Sequence, residues 1–170
     1  MSDRFEESLL SHLDAAYNLA RWLLRSPADA EDVVQESYLR ALRFFAGFRG
    51  GDSRAWLLKI VRNTCYSWIR KNRPSASSDE FDETVHSQNQ IAQTAEAKLI
   101  SRVESERVRR ALEALPATFK EVLVLREIEG LSYKEISDVT GIPMGTVMSS
   151  LSRARQRLRE HLGAIAEKED

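Results

Sequence analysis

Apolar residues recur along this chain at the three- and four-residue spacing of α-helices, and no segment shows sustained alternation of apolar and polar residues. The first apolar stripe predicts a helix of about four turns that ends near Ser26-Pro27. A second helix is predicted from Pro27 to about Phe45, because proline is tolerated in a first turn and acidic residues follow it near the positive helix end. The first stripe comprises Leu9, Leu10, Leu13, Ala16, Tyr17, Ala20, Leu23 and Leu24.

The segment FRGGDSR, residues 48–54, predicts a turn followed by a helix start, because paired glycines favour turns and Asp and Ser favour N-caps. The helix that follows has one apolar face and one basic face with an aromatic and an amide. Trp56 fits either the core or a nucleic-acid contact. The apolar face comprises Leu57, Ile60, Val61, Thr64, Cys65, Trp68 and Ile69, and the basic face comprises Lys59, Arg62, Asn63, Tyr66 and Arg70.

Between Asn72 and Gln93 the apolar pattern stops, and a polar, acidic, Ser-rich stretch predicts a flexible linker. Helical periodicity returns at about Ala95, and a further helix is predicted between Pro116 and Gly130. We therefore predict an all-α protein of two small helical domains: residues 1–73 and 95–163, with the linker at 74–94 and a disordered tail at 164–170. The apolar positions of the second domain include Leu99, Ile100, Val103, Val108, Ala111, Leu112, Leu115, Phe119, Val122, Leu123, Leu125 and Ile128.

A helix-turn-helix is predicted in the second domain. Ser132 and Glu135 have the spacing of a capping box, and Leu131 and Ile136 have that of a hydrophobic staple. A short helix over residues 133–140 is followed by a glycine suited to a tight turn, and Pro143 then opens a second helix. The order helix, glycine turn, helix is typical of DNA-binding helix-turn-helix domains, which place their second helix in the major groove. An ordinary helical hairpin is the alternative.

The second helix of this motif has an apolar stripe and several groups suited to DNA. If the stripe faces the core, the early turns are free to contact base edges. Arg153, Arg155 and Arg157 project in different directions and cannot all contact DNA, and the first and third share a face suited to phosphates. The stripe comprises Val147, Leu151, Ala154 and Leu158.

Charge alternates in sign along the chain, although the formal net charge is only −1. Residues 37–73 carry nine Lys and Arg and one acid, whereas residues 1–36 carry eight acids and three basic residues. Residues 74–106 are again acidic. Such a basic block suits nucleic-acid phosphates, and a solvated basic face is the alternative interpretation.

Several classes of protein do not fit this sequence. No run of about 18 apolar residues occurs, and the first ten residues lack the order of a secretion signal, so we expect no membrane insertion. A single cysteine, Cys65, fits a reducing cytoplasm. His12, His86 and His161 are scattered, and no glycine loop suits a nucleotide, so we expect no metal, no cofactor and no catalysis.

Three segments resemble extracytoplasmic-function (ECF) sigma factors of the sigma-70 family. They are AEDVVQESYLRAL at residues 30–42, FRGGDSRAWLLKIVRNTCYSWIRK at 48–71 and LREIEGLSYKEISDVTGIPMGTVMSSLSRARQRL at 125–158. The resemblance implies an alternative sigma factor that binds core RNA polymerase and directs promoter recognition, DNA opening and transcription initiation. A stand-alone helix-turn-helix regulator that binds duplex DNA without polymerase is the alternative.

The resemblance also implies partners and site residues. The partners are the beta-prime clamp helices and beta flap of core polymerase, promoter DNA, and an anti-sigma factor. Relatives often place basic residues where this chain has Met148 and Ser150, which leaves its promoter preference open. The residues implied for core polymerase are Asp29, Glu31, Asp32, Gln35 and Glu36; for the minus-ten element, Phe48, Arg49, Gly50, Asp52, Ser53, Trp56, Lys59, Arg62 and Asn63; and for the minus-35 element, Ser132, Tyr133, Pro143, Met144, Thr146, Met148, Ser149, Ser152, Arg153 and Arg157.

Overall fold

The computed structural model describes residues 2–48, 50–72 and 106–169, and every regular element in these ranges is helical, as predicted. The predicted linker at 74–94 lies outside the described residues. The helices are α1 (Ser2–Leu10), α2 (Leu13–Leu24), α3 (Pro27–Phe44), α4 (Ser53–Asn72), α5 (described over 106–113), α6 (Ala117–Leu123), α7 (Tyr133–Thr140) and α8 (Met144–Glu169), with a 3-10 turn at Phe45–Gly47 and a π-helical turn at Val124–Ile128.

The N-terminal half is a bundle in which α2, α3 and α4 pack against one another and α1 contacts α4. Helix α3 begins as the sequence predicts: the Ser26 hydroxyl accepts a hydrogen bond from the Asp29 backbone N–H at 3.3 Å, and Pro27 occupies the first turn. Val33 and Val34 are buried and belong to the core of this bundle. The core side of α4 is buried between Ala55 and Cys65, while Ile60, Trp68 and Ile69 are half-buried.

The predicted first helix is two helices. The chain turns at Ser11 and His12, and this interruption changes which residues face the bundle. Leu9 is buried, but Leu10 and Leu13 are 59% and 43% exposed, so their assignment to the core was wrong.

The C-terminal half packs α6 and α7 against α8. The capping box of α7 is present: the Glu135 carboxylate accepts from the Ser132 backbone N–H at 2.9 Å, and the Ser132 hydroxyl accepts from the Glu135 N–H at 3.1 Å. Leu131 and Ile136 are both fully buried beside it. Gly141 ends α7 in the left-handed region, at φ +78°, which glycine adopts without strain.

Two other expectations for this half were wrong. Val108 and Ile128 are 41% and 47% exposed rather than buried, and Ile128 lies where the helix changes to π-helical geometry, which shifts the residues that face inward. Residues 164–169, predicted as a disordered tail, continue α8 to Glu169. Their Ala, Glu and Lys residues favour helix, and no proline stops it.

The two halves pack directly on each other. Helix α4 lies against α7, and α2 contacts α6 and the π-helical turn. Buried residues of both halves form one continuous hydrophobic cluster. The interface therefore covers part of α4, the helix with the predicted basic face.

Ser132→Ala should destabilise the C-terminal half by about 1 kcal/mol, because it removes the side-chain acceptor at the N-terminus of α7. Urea unfolding of the whole chain measures the change. Ser152→Ala, at an exposed position within α8, is the matched control and should change stability by no more than about 0.5 kcal/mol. Equal losses in the two variants would show that the capping box does not stabilise α7.

Candidate nucleic-acid interface

One face of α3 is acidic and exposed. Glu31, Asp32, Gln35 and Glu36 are all exposed, and they share a face because the second pair follows the first by four residues, about one helical turn. Asp29 is only half-buried, and Glu36 forms an exposed ion pair with Arg40 at 2.8 Å. We call Glu31, Asp32, Gln35 and Glu36 the acidic α3 face.

Two leucines extend this face towards the end of α3. Leu39 and Leu42 are 64% and 57% exposed and follow Gln35 at helical spacing. Sequence analysis did not single them out, because their spacing alone does not distinguish an exposed leucine from a core one. A surface that combines acidic and large apolar side chains is typical of a protein contact rather than of a nucleic-acid contact.

The turn between α3 and α4 is built from glycines and a capping aspartate. Gly50 and Gly51 have φ values of +86° and +92°, a region that other residues rarely adopt. Asp52 caps α4, since its Oδ1 accepts from the backbone N–H groups of Arg54 and Ala55 at 3.0 and 3.3 Å. Arg49 lies outside the described residues.

Three aromatic rings gather at this turn. Phe48 lies 5.9 Å from Phe45 and 5.1 Å from Trp56, measured between ring centroids. Trp56 is half-buried, so it contacts its aromatic neighbours and keeps part of its ring in solvent. Trp56 is therefore partly a core residue, and its contact with nucleic acid stays a prediction. The cluster offers stacking surfaces of the kind that single-stranded bases use.

The polar face of α4 is only partly open. Lys59 and Asn63 are exposed as predicted. Arg62 instead pairs with Glu121 of α6, and its guanidinium lies 4.5 Å from the centre of the Tyr66 ring. The Tyr66 hydroxyl donates to the other Glu121 oxygen at 3.2 Å. Arg62 and Tyr66, predicted to lie on an open basic face, are therefore engaged by the C-terminal half.

Glu121 is the centre of this contact and was not predicted. Its side chain is 3% exposed in the ion pair, and burial raises its pKa while Arg62 and Tyr66 act in the opposite direction. Burial and the Glu121 charge raise the pKa of Tyr66, and the same two causes raise that of Cys65 to about 12. Cys65 therefore keeps a protonated, unreactive thiol at neutral pH.

Arg54 makes a second contact between the halves. Its guanidinium donates to the Glu129 carbonyl oxygen at 3.0 Å and lies 3.6 Å from a Glu135 carboxylate oxygen. The carboxyl groups of Asp52 and Glu135 lie close enough to share a proton, which raises the pKa of Asp52 and lowers that of Glu135 to about 2. The start of α4 is thus tied to the capping box of α7. Asn18 adds a hydrogen bond to the Glu129 carboxylate at 3.2 Å.

His12 contacts the same turn from the N-terminal side. Its Nε2 lies 3.0 Å from the Ser53 hydroxyl oxygen. Burial, followed by the nearby Arg54 charge, lowers the pKa of His12, so the ring is neutral at pH 7. Its role in this arrangement is to join the α1–α2 turn to the start of α4.

Helix α8 presents the predicted reading residues on its outer side. Val147, Leu151 and Ala154 are buried, which confirms the predicted core stripe, while Leu158 is half-buried. The Ser149 hydroxyl donates to the Thr146 carbonyl at 3.2 Å, so its oxygen remains available as an acceptor. The exposed residues of this region are Ser132, Pro143, Met144, Thr146, Met148, Ser149, Ser152, Arg153 and Arg157.

Arg153, Arg155 and Arg157 of α8 have different surroundings, as predicted. Arg155 pairs with Glu127 at 2.7 Å and so stabilises its own half. Arg157 lies 5.3 Å from the centre of the Phe119 ring. Arg153 and Arg157 line one groove of about 350 Å³ with Phe119, Gln156 and Glu160. The groove joins the two arginines that the sequence assigns to phosphates.

Tyr133, predicted to contact DNA, is half-buried at the start of α7. The Arg126 guanidinium lies 4.6 Å from its ring centre and also donates to the Leu131 carbonyl at 2.8 Å. Arg126 therefore holds the tyrosine beside the capping box and was not singled out by sequence analysis.

Within the described residues, no group of three or more His, Cys, Asp or Glu side chains could hold a metal ion. In the same ranges, no helix has both the length and the apolar character needed to cross a membrane.

An exposed helix-turn-helix and a separate turn with clustered aromatic rings are features of DNA-binding proteins of transcription. The sigma-70 region 2 model matches residues 9–74, and the sigma-70 region 4 model matches residues 105–158. The ECF RNA polymerase sigma factor SigE of Mycolicibacterium smegmatis is 33% identical over 162 residues, which cover 93% of this chain and 61% of that relative. The RNA polymerase sigma-H factor of Pseudomonas aeruginosa is 35% identical over 142 residues, covering 79% of this chain and 73% of the relative.

Among solved structures, the sigma factor RpoE of Bartonella quintana, in complex with the anti-sigma factor NepR, is similar with a TM-score of 0.77. The identity is 31%, with 94% of this chain and 97% of that chain covered. The chain therefore belongs to the ECF sigma factors of the sigma-70 family. It is a promoter-recognition factor that binds RNA polymerase, and sigma factors are initiation factors without enzymatic activity.

Proposed function

We propose that the chain works through three separate surfaces. The acidic α3 face docks on the beta-prime clamp helices, the turn at 48–53 with the polar face of α4 binds the minus-ten element, and α7 with α8 reads the minus-35 element. The single observation that supports this most strongly is the helix-turn-helix, in which the inner stripe of α8 is buried and its outer face is exposed. The domain limits follow this division: 1–73, 74–94 and 95–163.

On the minus-ten side, the proposed task is to capture a base from the opened strand. Unstacking a base costs a few kcal/mol, roughly, which stacking and edge contacts must offset. The aromatic cluster supplies stacking surfaces, and the exposed Asn63 amide supplies both a donor and an acceptor. Lys59 and Arg62 would hold phosphates once Arg62 is released from Glu121.

On the minus-35 side, the proposed task is divided between two parts of α8. Its first two turns carry short polar and methionine side chains that can approach base edges. Arg153 and Arg157 lie later on the helix and would bind phosphates, which positions the helix without reading sequence.

We infer that an anti-sigma factor regulates the chain. The Bartonella quintana RpoE structure and the similar CnrH structure, at a TM-score of 0.69 and 26% identity, are complexes with NepR and with the cytosolic domain of CnrY. Both cover at least 94% of this chain. We propose that a partner of the same kind binds this chain. The chain itself is proposed to act in the cytoplasm, with core polymerase. The beta flap is proposed as a further polymerase contact of the C-terminal half.

Run-off transcription on fragments of genomic DNA tests the proposed function. Core polymerase with the chain should produce discrete transcripts that neither component produces alone, and their start sites identify the promoter. A gel-shift with the chain alone tests the other candidate, since a stand-alone regulator would bind specific duplex DNA tightly without polymerase. Tight specific binding by the chain alone, without polymerase-dependent transcripts, would replace the proposed function with that alternative.

A further inference from the structure

Two large apolar side chains are exposed at the start of the reading helix. Met144 and Met148 are 46% and 52% exposed, and they lie on one side of α8 because they are four residues apart. Val147 and Leu151, each three residues further along, are buried at 0% and 1% and face the core. The two methionines therefore lie at the exposed edge of the core stripe, with about half of each side chain in solvent.

Their surroundings are polar and small. Gly145 between them has no side chain, and the exposed Thr146, Ser149 and Ser152 lie on adjoining positions of α8. These short side chains let a duplex approach the helix closely, so the two methionines are the longest groups on its first two turns. Single exposed apolar residues are common, but a pair on the exposed side of a recognition helix has a specific chemical consequence.

A methionine side chain cannot read a base by strong hydrogen bonds, because its thioether is only a weak acceptor and carries no donor. The one apolar group on the base edges of the major groove is the C5-methyl group of thymine. Contact between a methionine side chain and a thymine methyl group removes apolar surface of both groups from water.

We propose that Met148, with Met144 beside it, determines promoter specificity by contacting a thymine methyl group in the minus-35 element. This inference rests on the proposed role of α8 in reading that element. A basic residue at position 148 would bind phosphates or guanine. Met148, which has no charge, instead favours an A·T pair.

Replacing thymine by deoxyuracil at single positions tests the proposal, because it removes the methyl group and changes nothing else on the base edge. The measurement is the affinity of the holoenzyme for promoter duplexes obtained from the run-off experiment, with each minus-35 thymine replaced in turn. At one or two positions, loss of the methyl should weaken binding about threefold to tenfold, as expected for one buried methyl group. Met148→Ala should bind the thymine and deoxyuracil duplexes equally at the position that Met148 contacts.

Met148→Leu is the matched variant, since it keeps an apolar side chain of similar volume and should keep the methyl dependence. Met148→Ala is at an exposed position, so its fold should be unaffected. If the holoenzyme binds the unmodified duplex but no deoxyuracil substitution matters, or if Met148→Ala keeps the full methyl dependence, the proposal is wrong while the proposed function stands. Failure to bind any duplex would instead count against the proposed function.

A second and independent feature is the contact between the two halves of the chain. Glu121, which is buried, places its two carboxylate oxygens on Arg62 and on the Tyr66 hydroxyl. This is the arrangement that a DNA phosphate would adopt with the same two donors. Glu121 therefore occupies the position of an anion on the proposed minus-ten face.

Further contacts join the two halves. Arg54 bonds to the Glu129 carbonyl and lies near Glu135, and Arg25 donates to the Glu113 carbonyl at 3.0 Å. The acidic α3 face is exposed in the same arrangement. Polymerase can therefore reach its docking surface while Arg62 is still engaged by Glu121.

We infer that the free chain masks part of its own minus-ten face, with Glu121 bound to Arg62 in place of a phosphate, and that the halves separate for promoter binding. This inference also rests on the proposed role of α4. The apparent affinity of the free chain for single-stranded DNA is then reduced by the fraction of molecules that are closed.

Arg54→Ala tests the masking, because Arg54 joins the halves and is not among the proposed DNA contacts. The measurement is binding of the free chain to a fluorescent single-stranded oligonucleotide of the promoter's minus-ten region. Arg54→Ala should bind about threefold to tenfold more tightly than the unchanged chain, although it removes a positive charge. Lys71→Ala, which removes an exposed positive charge at the end of α4, is the matched control and should bind equally or more weakly.

A second measurement makes the result independent of affinity. Fluorescence energy transfer between labels on exposed positions of α3 and α8 should decrease in Arg54→Ala, and circular dichroism should show unchanged helix content. If Arg54→Ala and Lys71→Ala lose affinity alike and energy transfer does not change, the masking is refuted. If the holoenzyme itself fails to bind the minus-ten strand, the proposed role of α4 is what fails.

Discussion

Replacing Asp32, Gln35 and Glu36 together by alanine should weaken binding to core RNA polymerase at least about 100-fold, since a few central residues carry most of the energy of a protein interface. All three are exposed on the acidic α3 face, while Val33 and Val34 hold the other side of the helix in the core. The substitutions remove the polar groups without touching the buried side. Fluorescence anisotropy of labelled chain titrated with core polymerase measures the change.

The matched control replaces two exposed acids elsewhere, Glu7 of α1 and Asp14 of α2, by alanine. This control changes the net charge by the same amount as the triple variant, since glutamine is neutral. It should bind polymerase within about threefold of the unchanged chain, because distant exposed charges act mainly on association rates. If the triple variant binds as tightly as this control, the assignment of the α3 face to polymerase is wrong.

Asn63→Ala should reduce promoter opening by about 10- to 100-fold, the loss expected when one base-edge contact of about 1–3 kcal/mol is removed. Asn63 is exposed on α4, and its amide can both donate to and accept from a base edge. Initial closed binding should change by no more than about threefold, because phosphate contacts dominate that step. Permanganate reactivity of unpaired thymines measures opening, and footprinting at low temperature measures closed binding.

Asn72→Ala is the control for this prediction, since Asn72 lies at the end of α4 and its amide donates to the Trp68 carbonyl at 2.9 Å. It removes the same side chain from the same helix at a position without a proposed DNA contact, and opening should be unchanged. Equal losses of opening and closed binding in Asn63→Ala would contradict base capture by this residue.

Helix starts were well predicted because they depend on contacts within a few residues. The reciprocal bonds of Ser132 and Glu135 and the glycine turn at Gly141 both occur where the sequence places them. Each involves residues no more than three positions apart or a single φ value, so a short stretch of sequence contains all of the relevant chemistry. The buried stripe of α8 was predictable for the same reason.

Contacts between distant residues were not predictable in this way. Glu121 follows Lys120 in a helix that reads as amphipathic, and nothing near it indicates that it meets Arg62 of α4. Arg54 likewise reads as one more cation of the basic block, whereas it bonds to Glu129. Which cations of a basic block remain open depends on how the two halves pack, and the local pattern contains no information on that packing.

The candidate site was predictable to a similar degree. The exposure of the acidic α3 face and of the outer side of α8 follows from helical periodicity once the buried stripe is known. Leu10, Leu13 and Ile128 show the limit of this reasoning, because a break or a π-helical turn changes which residues face inward. The roles of individual residues in binding polymerase and promoter stay predictions.

The central claim is that this chain gives core polymerase its promoter specificity through two separate reading surfaces. Hydroxyl-radical footprinting on a promoter identified by run-off transcription tests it directly, with core polymerase alone, the chain alone and the two together. We expect the minus-35 and minus-ten elements both to be protected only when polymerase and chain are present together. Full protection of one element by the chain alone, unchanged by polymerase, would contradict it.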